Sequence, residues 1–325
     1  EHLADYTARL KEIFKKYGTS GMFYAHASVG TLHVRPVLNM KSDKDIQNMR
    51  SISEEAFEMV KDYKGSHSGE HGDGIVRSEF HEMMFGKKII NAFEEIKDTF
   101  DSKNLLNPGK IVRPFKSNDR SLMRYKSGYH TENIDTHYDW SNWGQFSDAV
   151  EMCNNNGACR KLDSGVMCPS YRVTKEEKDL VRGRANTLRL ALSNQLPEGS
   201  FASKEMYETM ELCVSCKACQ RECPMSVDMA KMKSEFLSHY YKKFSMRIKD
   251  RVISDMPRLI WLLKFVAPIF NKIKNIPLIS TIVEKFGFAT ARTMPEVQNQ
   301  NALREIYESQ TVSENKVILF ADTFN

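Results

Sequence analysis

The order of apolar and polar positions predicts a mixed half followed by a helical half. Leu10, Ile13 and Phe14 share one face of a helix over 1–17, which Gly18 and Gly21 end. Residues 22–27 and 31–38 read as two short strands around a tight turn at Val29 and Gly30. Ile46, Met49, Ile52, Ala56, Phe57 and Val60 then keep the helical period over 41–63, with Ser42 as the N-terminal cap. A glycine-rich loop, GSHSGEHGDG at 65–74, interrupts the pattern. Helix resumes over 78–100, and LLNPGK at 105–110 closes the segment. This order predicts an α+β domain with helices on an antiparallel sheet.

Residues 114–145 are polar and sprinkled with aromatics (Tyr125, Tyr129, Tyr138, Trp140, Trp143), as in a linker laid over a surface, with His130 and His137 solvated. From Phe146 to Tyr240 the pattern is helical. It is strongest over 175–196, where Leu180, Thr187, Leu188 and Leu192 face inward. Arg182, Arg184 and Arg189 on that stretch either offset a negatively charged centre or form a solvated face. Residues 242–275 combine many lysines and arginines with an apolar run at 259–265. Lys264, Pro257 and Pro268 interrupt a clean amphipathic face, so packing against the rest of the protein is favoured over lying on an anionic membrane surface near a quinone.

Composition narrows the classes. Hydrophobic residues make up 41% and charged residues 27% of 325 positions, ordinary for a globular chain with room for two or three domains. A net charge of +5 without a nucleic-acid motif argues against nucleic acid as a partner. No signal peptide and no apolar run long enough to span a bilayer are present. Residue 1 is Glu, and KVILFADTF at 316–324 reads as an opening buried strand, so an internal stretch of a longer polypeptide is expected.

The strongest motif is LCVSCKACQRECP at 212–224. It spaces Cys213, Cys216, Cys219 and Cys223 as C-x2-C-x2-C-x3-C, with Pro224 following. Three thiolates at this spacing wrap one corner of an iron–sulfur cube, and the fourth points to a second cluster. Structural zinc is better suited by C-x2-C pairs separated by a longer loop. The remaining cysteines, Cys153, Cys159 and Cys168-Pro169, form an altered second copy with Asn156 where a cysteine would fall. Exchanging the fourth ligands assigns Cys213, Cys216, Cys219 and Cys168 to a [4Fe–4S] cluster, and Cys153, Cys159 and Cys223 to a second. With three thiolates that second cluster is [3Fe–4S], or a cube completed by Asn156 or water. Two buried core thiols are the bland reading of Cys153 and Cys159. The pattern resembles the iron–sulfur subunit of succinate dehydrogenase and fumarate reductase, where C-x5-C…C-P marks the three-iron site. Exposed clusters and the absence of a spare cysteine imply a reducing compartment, the cytoplasm or the inner face of its membrane.

A second set of residues carries possible chemistry. His26 and His33 flank the strand–turn–strand, and Glu70 and His71 sit in the glycine loop. Two imidazoles and a carboxylate suit a divalent zinc, iron or manganese ion, though spacing alone does not separate this from packing histidines. H-x6-H, then G-E-H-G-D-G, then L-N-P-G-K resembles the C-terminal half of FAD-linked D-2-hydroxyacid dehydrogenases of the vanillyl-alcohol-oxidase type. That resemblance implies His26, His33 and Glu70 as metal ligands, His71 as the active-site histidine and Asn107 in the segment returning to the flavin. It departs at Ser28–Thr31, where the family commonly has G-D-G-N, and at Arg35, where Asn is frequent. A guanidinium there clamps a substrate carboxylate or forms an ordinary surface ion pair.

The organisation implied is 1–115 the C-terminal substrate/cap part of an FAD oxidase, 116–145 a linker, 146–245 an α-helical ferredoxin-like iron–sulfur domain, 246–312 a helical connector and 313–325 the start of a CCG-type domain. The implied activity is oxidation of a D-2-hydroxy acid, of the D-2-hydroxyglutarate or D-lactate class, through FAD, with electrons leaving by the clusters to a quinone or soluble acceptor. The rival readings are a non-catalytic electron-transfer module with a dead N-terminal site and, less consistent with the clusters, a metal hydrolase.

Overall fold

The two strands carry the logic of the first half. In the computed structural model, which describes residues 2–274, 276–289, 291, 296, 297 and 308, β1 (Gly21–His26) pairs antiparallel with β2 (Thr31–Pro36), Tyr24 opposite His33 and His26 opposite Thr31. Side chains alternate across a strand, so this register sorts the hairpin into two faces. Phe23, Leu32 and Val34 lie against a core of Leu10, Ala56 and Met59 supplied by α1 (Leu3–Lys16) and α2 (Asp43–Asp62). Tyr24, His26, His33 and Arg35 occupy the opposite face. Leu10 is 1% exposed; burying a leucine fully stabilises by about 1.5–3 kcal/mol. Gly30, at φ +66°, supplies the left-handed turn residue.

Ser42 caps α2 by accepting from the Asp45 amide, as its sequence predicts. The helix expected over 78–100 is instead broken into α4 (His81–Phe85) and α5 (Lys87–Phe100), preceded by a short α3 (Gly74–Arg77). Gly86, at φ +80°, makes the break: its N–H ends α4 on the Glu82 carbonyl, and its own carbonyl accepts from Ile89 and Ile90. The chain after Lys110 stays with this half. Arg50 and the Ser117 amide both bind Glu79, and Arg120 reaches the carbonyls of Met40 and Lys41. Contact clustering gives one unit from the N-terminus to Asn133 together with Leu192–Gln195, and a second formed by Ile134–Ala191 and the chain from Leu196 onward.

The second unit is helical among the described residues: α6 (Phe146–Glu151), α7 (Pro169–Thr174), α8 (Val181–Leu192), α9 (Lys204–Glu211), α10 (Ala218–Glu222), α11 (Met229–Lys243), α12 (Ile248–Ser254), α13 (Met256–Leu263), α14 (Ala267–Ile273) and α15 (Pro277–Lys285). Trp140 is not a surface aromatic. It is 3% exposed, and its indole N–H donates to Glu235, whose carboxylate also accepts from the amides of His137 and Tyr138. The α8 helix starts later than its periodicity suggests, because a 3-10 turn at Glu177–Asp179 crosses its first turn. Gly183 permits that crossing, since a Cβ there would overlap the Glu177 carbonyl. The connector helices leave Trp261, Phe265, Ile269 and Leu278 more than half exposed. No described helix is long and apolar enough to cross a membrane. The strand expected at 316–324 lies outside the described residues.

Candidate functional site

The outer face of the hairpin and the glycine-rich loop together build a polar cleft. Pairing Tyr24 with His33 and His26 with Thr31 brings both imidazoles to one face, their Nε2 atoms 3.1 Å apart. Gly69 lets the loop close on this face: a Cβ there would press into the Thr31 side chain. Glu70 is thereby carried over the pair, its carboxylate 2.7 Å from His33 Nε2 and 3.5 Å from His26 Nε2. His71 Nε2 lies 3.4 Å from the same carboxylate. One N–H at most can lie between the two close imidazole nitrogens, so at least one ring presents a lone pair there beside the Glu70 carboxylate. That donor set suits a borderline divalent cation, and the ligand atoms of His26, His33 and Glu70 all lie within 4.8 Å of one another.

His33 is the anchored member of the group. Its side chain is 12% exposed, and its ring stacks on Tyr24 at 4.3 Å and 14°. Arg35 donates to the Tyr24 hydroxyl at 2.9 Å, and its guanidinium carbon stands 5.4 Å from the ring centre. A cavity of about 250 Å³ opens here, lined by Arg35, Arg77, His33, Glu70 and His71. Arg77 was missed by reasoning from spacing; the available signal was a guanidinium one helical turn after the loop's last glycine. Asn107 does not join this group. It lines a different cavity of about 520 Å³ with Phe93, Ile96 and Phe100, on a face where Phe100 is 85% exposed.

In the helical unit Cys168, Cys213, Cys216 and Cys219 line one cavity, together with Arg184, Val181 and Met229. Local geometry explains how distant positions meet. Ser215 and Lys217 take positive φ, coiling the CVSCKAC stretch, while Cys168 is itself left-handed ahead of Pro169 at the first position of α7. The Val181 N–H points at Cys168 Sγ at 3.3 Å, and the Met229 and Ala230 amides act on Cys219. Burial pushes the Cys168 thiol up to about 12 and raises Cys159 and Cys219 as well. Such thiols are neutral until a metal takes them as thiolates.

Cys153 and Cys159 are both buried and close enough that the charge of one raises the pKa of the other. Arg182 sits beside them, its pKa raised first by Glu177 and then by both sulfurs. Cys223 lies half-buried at the end of α10. Asn156 is committed locally: its carboxamide oxygen accepts from the Ala158 amide at 2.8 Å, and its nitrogen donates to Asn154 at 2.6 Å. Arg184 and Arg189 are 1% and 7% exposed, which overturns a solvated face. Arg184 donates to the Thr209 carbonyl and the Ser170 hydroxyl, with Asp179 3.7 Å away.

Residues 1–111 match the model of the FAD linked oxidases, C-terminal domain, and residues 149–227 match the 4Fe-4S dicluster domain. A D-2-hydroxyglutarate dehydrogenase of Escherichia coli (strain K12) is 29% identical over 88% of this chain and 31% of its own length. One from Pseudomonas putida is 29% identical over 100% of this chain and 36% of its own. A D-lactate dehydrogenase of Archaeoglobus fulgidus is 33% identical over 34% of this chain and 24% of its own. The chain thus spans about a third of the length of the long relatives it matches. No solved structure matches it. The chain joins an FAD-oxidase C-terminal domain to a helical 4Fe-4S region.

Proposed function

We propose that this chain carries the substrate site and the electron relay of an FAD-linked dehydrogenase that oxidises a D-2-hydroxy acid to the 2-oxo acid, D-2-hydroxyglutarate being the favoured substrate. The observation that carries this reading is the convergence of His26, His33, Glu70 and His71 with two guanidinium groups, Arg35 and Arg77, around one polar cleft. Two arginines match the two carboxylates of a dicarboxylic hydroxy acid, each able to form paired charge-assisted hydrogen bonds. The names of the long relatives point to the same acid.

In this reading the oxidase part belongs to the vanillyl-alcohol-oxidase type. His26, His33 and Glu70 hold a divalent zinc, manganese or iron ion, which when bound supplies Lewis acidity for the substrate hydroxyl and carboxylate. His71 accepts the hydroxyl proton at its ring nitrogen as general base. FAD, when bound, would supply the hydride acceptor, and Asn107 would lie in the segment that returns to the flavin. The clusters supply one-electron carriers toward a quinone or soluble acceptor. With three thiolates, Cys153, Cys159 and Cys223, the second cluster is [3Fe–4S], or a cube completed by Asn156 or water. Buried Arg184 beside one cage and Arg182 beside the other offset the charge of thiolate-bound iron. A half-exposed cage with Cys216 at the surface suits a reducing cytoplasm.

The test is reduction of bound FAD by D-2-hydroxyglutarate in a His71→Gln variant that retains flavin and clusters. Loss of a general base lowers the rate by about 10²–10⁴-fold. A variant reduced as fast as the wild type by D-2-hydroxyglutarate and D-lactate alike would remove the proposed chemistry.

A further inference from the structure

The glycine-rich loop that holds Glu70 and His71 in the cleft also brings His67 and Asp73 to His81. His67 is 8% exposed and His81, at the start of α4, is 3% exposed, with Asp73 between them in sequence. Ligand atoms of the three lie within 4.8 Å of one another. His67 sits edge-on to His81 at 5.5 Å and to Phe57 at 5.2 Å. Neither of its ring nitrogens has a partner within hydrogen-bond geometry, nor has Asp73 Oδ1; the Arg77 carbonyl acts on the ring as a minor effect, and the Ser68 hydroxyl helps to lower the pKa of the Asp73 carboxyl.

These are costly vacancies. An imidazole always carries a donor or a lone pair on each nitrogen, and leaving each buried and unpaired costs about 1–3 kcal/mol. Hydrophobic residues of similar volume would fill the place without that cost. His81 poses a second problem. Its Nε2 faces Asp73 Oδ2 at 2.7 Å while its Nδ1 faces the Ile111 carbonyl at 3.4 Å. An imidazolium or a bound cation serves both acceptors; a neutral ring alone has one proton for two.

We propose that His67, Asp73 and His81 bind a divalent ion of the zinc class, forming a buried structural site separate from the His26–His33–Glu70 set. An ion between His81 Nε2 and Asp73 frees the single ring proton for Nδ1, which then donates to Ile111. This is the arrangement by which metal-bound histidines are oriented from behind. The ion also takes one His67 nitrogen and the free Asp73 oxygen. Zinc–nitrogen bonds of roughly 2.0–2.1 Å require His67 to draw in, while His81 Nε2 and Asp73 Oδ2, 2.7 Å apart, open slightly to admit the ion. Because Asp73 and His67 bracket Glu70 and His71, the ion pins both ends of the stretch that forms the cleft. The site does not depend on what that cleft oxidises.

The test is a count of non-cluster metal on the purified protein, with its clusters intact, after dialysis against buffered Zn²⁺. The wild type is expected to hold two equivalents per chain, and His67→Leu and Asp73→Asn each to hold one fewer. His33→Ala reports on the cleft site separately, so failure of either site is read without the other. Asp73→Asn keeps the shape of the side chain and covers the case in which His67→Leu does not fold. Unfolding gives an independent sign. Without an ion, His67→Leu removes two unsatisfied nitrogens and raises the thermal midpoint; with one, it lowers it. Unchanged zinc content in both variants, or a stabilised His67→Leu, overturns the proposal.

Discussion

The imidazole cleft and the thiol cage assemble reactive side chains in opposite ways. In the cleft the groups stand on a hairpin face and the glycine loop over it and stay open: His26 and His71 are more than half exposed at the side chain, and only His33 is deeply held. In the cage three of four sulfurs are buried or half-buried, and burial itself raises the thiols out of the reactive range. Exposure suits a site that must admit and release a small acid. Burial suits a centre that must stay in place and be shielded while its charge changes. The price of burial is met by fixed dipoles and cations: the Val181 amide, Arg184 and the amides at the start of α11.

The sharpest way to break that contrast is to remove one sulfur. Cys168→Ser is expected to lose a whole cluster, read as a fall of about one cluster's content in iron and acid-labile sulfide. Flavin reduction by substrate should persist, with electron delivery to the acceptor abolished. Retention of full iron and sulfide would show that Cys168 is a packing residue. The cleft, by contrast, should degrade gradually. Arg77→Met is expected to raise KM for D-2-hydroxyglutarate about 10–100-fold, the value of a hydrogen-bonded charge at roughly 1.5–3 kcal/mol. The effect on D-lactate, which has one carboxylate, should be small. Equal losses for both acids would dissociate Arg77 from the second carboxylate.

The smallest effect tests the scaffold of the cage side. Burial alone would raise the pKa of Glu235, but the donors at His137, Trp140 and Tyr138 outweigh it and hold the carboxyl below its usual range. A depressed carboxylate stabilises the fold above its unfolded pKa of about 4.3 and loses that contribution as pH falls through the folded value. Glu235→Gln should therefore cost about 2 kcal/mol at pH 7 and flatten the acid limb of a denaturation profile. An unaltered acid limb would place that pH dependence elsewhere.

Much of the local structure was legible because it obeys short-range rules. The 3.6-residue period gave α2, Ser42 gave its cap, and alternation gave the hairpin. What periodicity missed were points where one segment meets another. Gly86 splits a helix that the apolar pattern alone runs through, because a glycine with φ of +80° leaves no trace in hydrophobicity. Trp140 read as a linker aromatic because its partner, Glu235, lies far along the chain. For Arg184 and Arg189 the sequence left a solvated face and a buried, charge-offsetting role both open, because a charge's burial depends on partners that sequence does not place; for Arg184 these are the Thr209 carbonyl, Ser170 and Asp179.

The candidate sites divide in the same way. C-x2-C-x2-C-x3-C-P is written in consecutive residues because one tight turn must wrap a cluster corner, so the sequence alone determined that chemistry and proposed Cys168 as its fourth sulfur. The two histidines of the hairpin were a weaker signal: spacing alone did not separate them from packing residues, and the family resemblance named them as ligands. Only the tertiary structure decided that Glu70 reaches them, that Arg77 shares their cleft and that His67 meets His81. Those contacts depend on a glycine loop folding back on the sheet, and the closeness of two backbones is set by packing across the molecule rather than by any residue's neighbours in the chain.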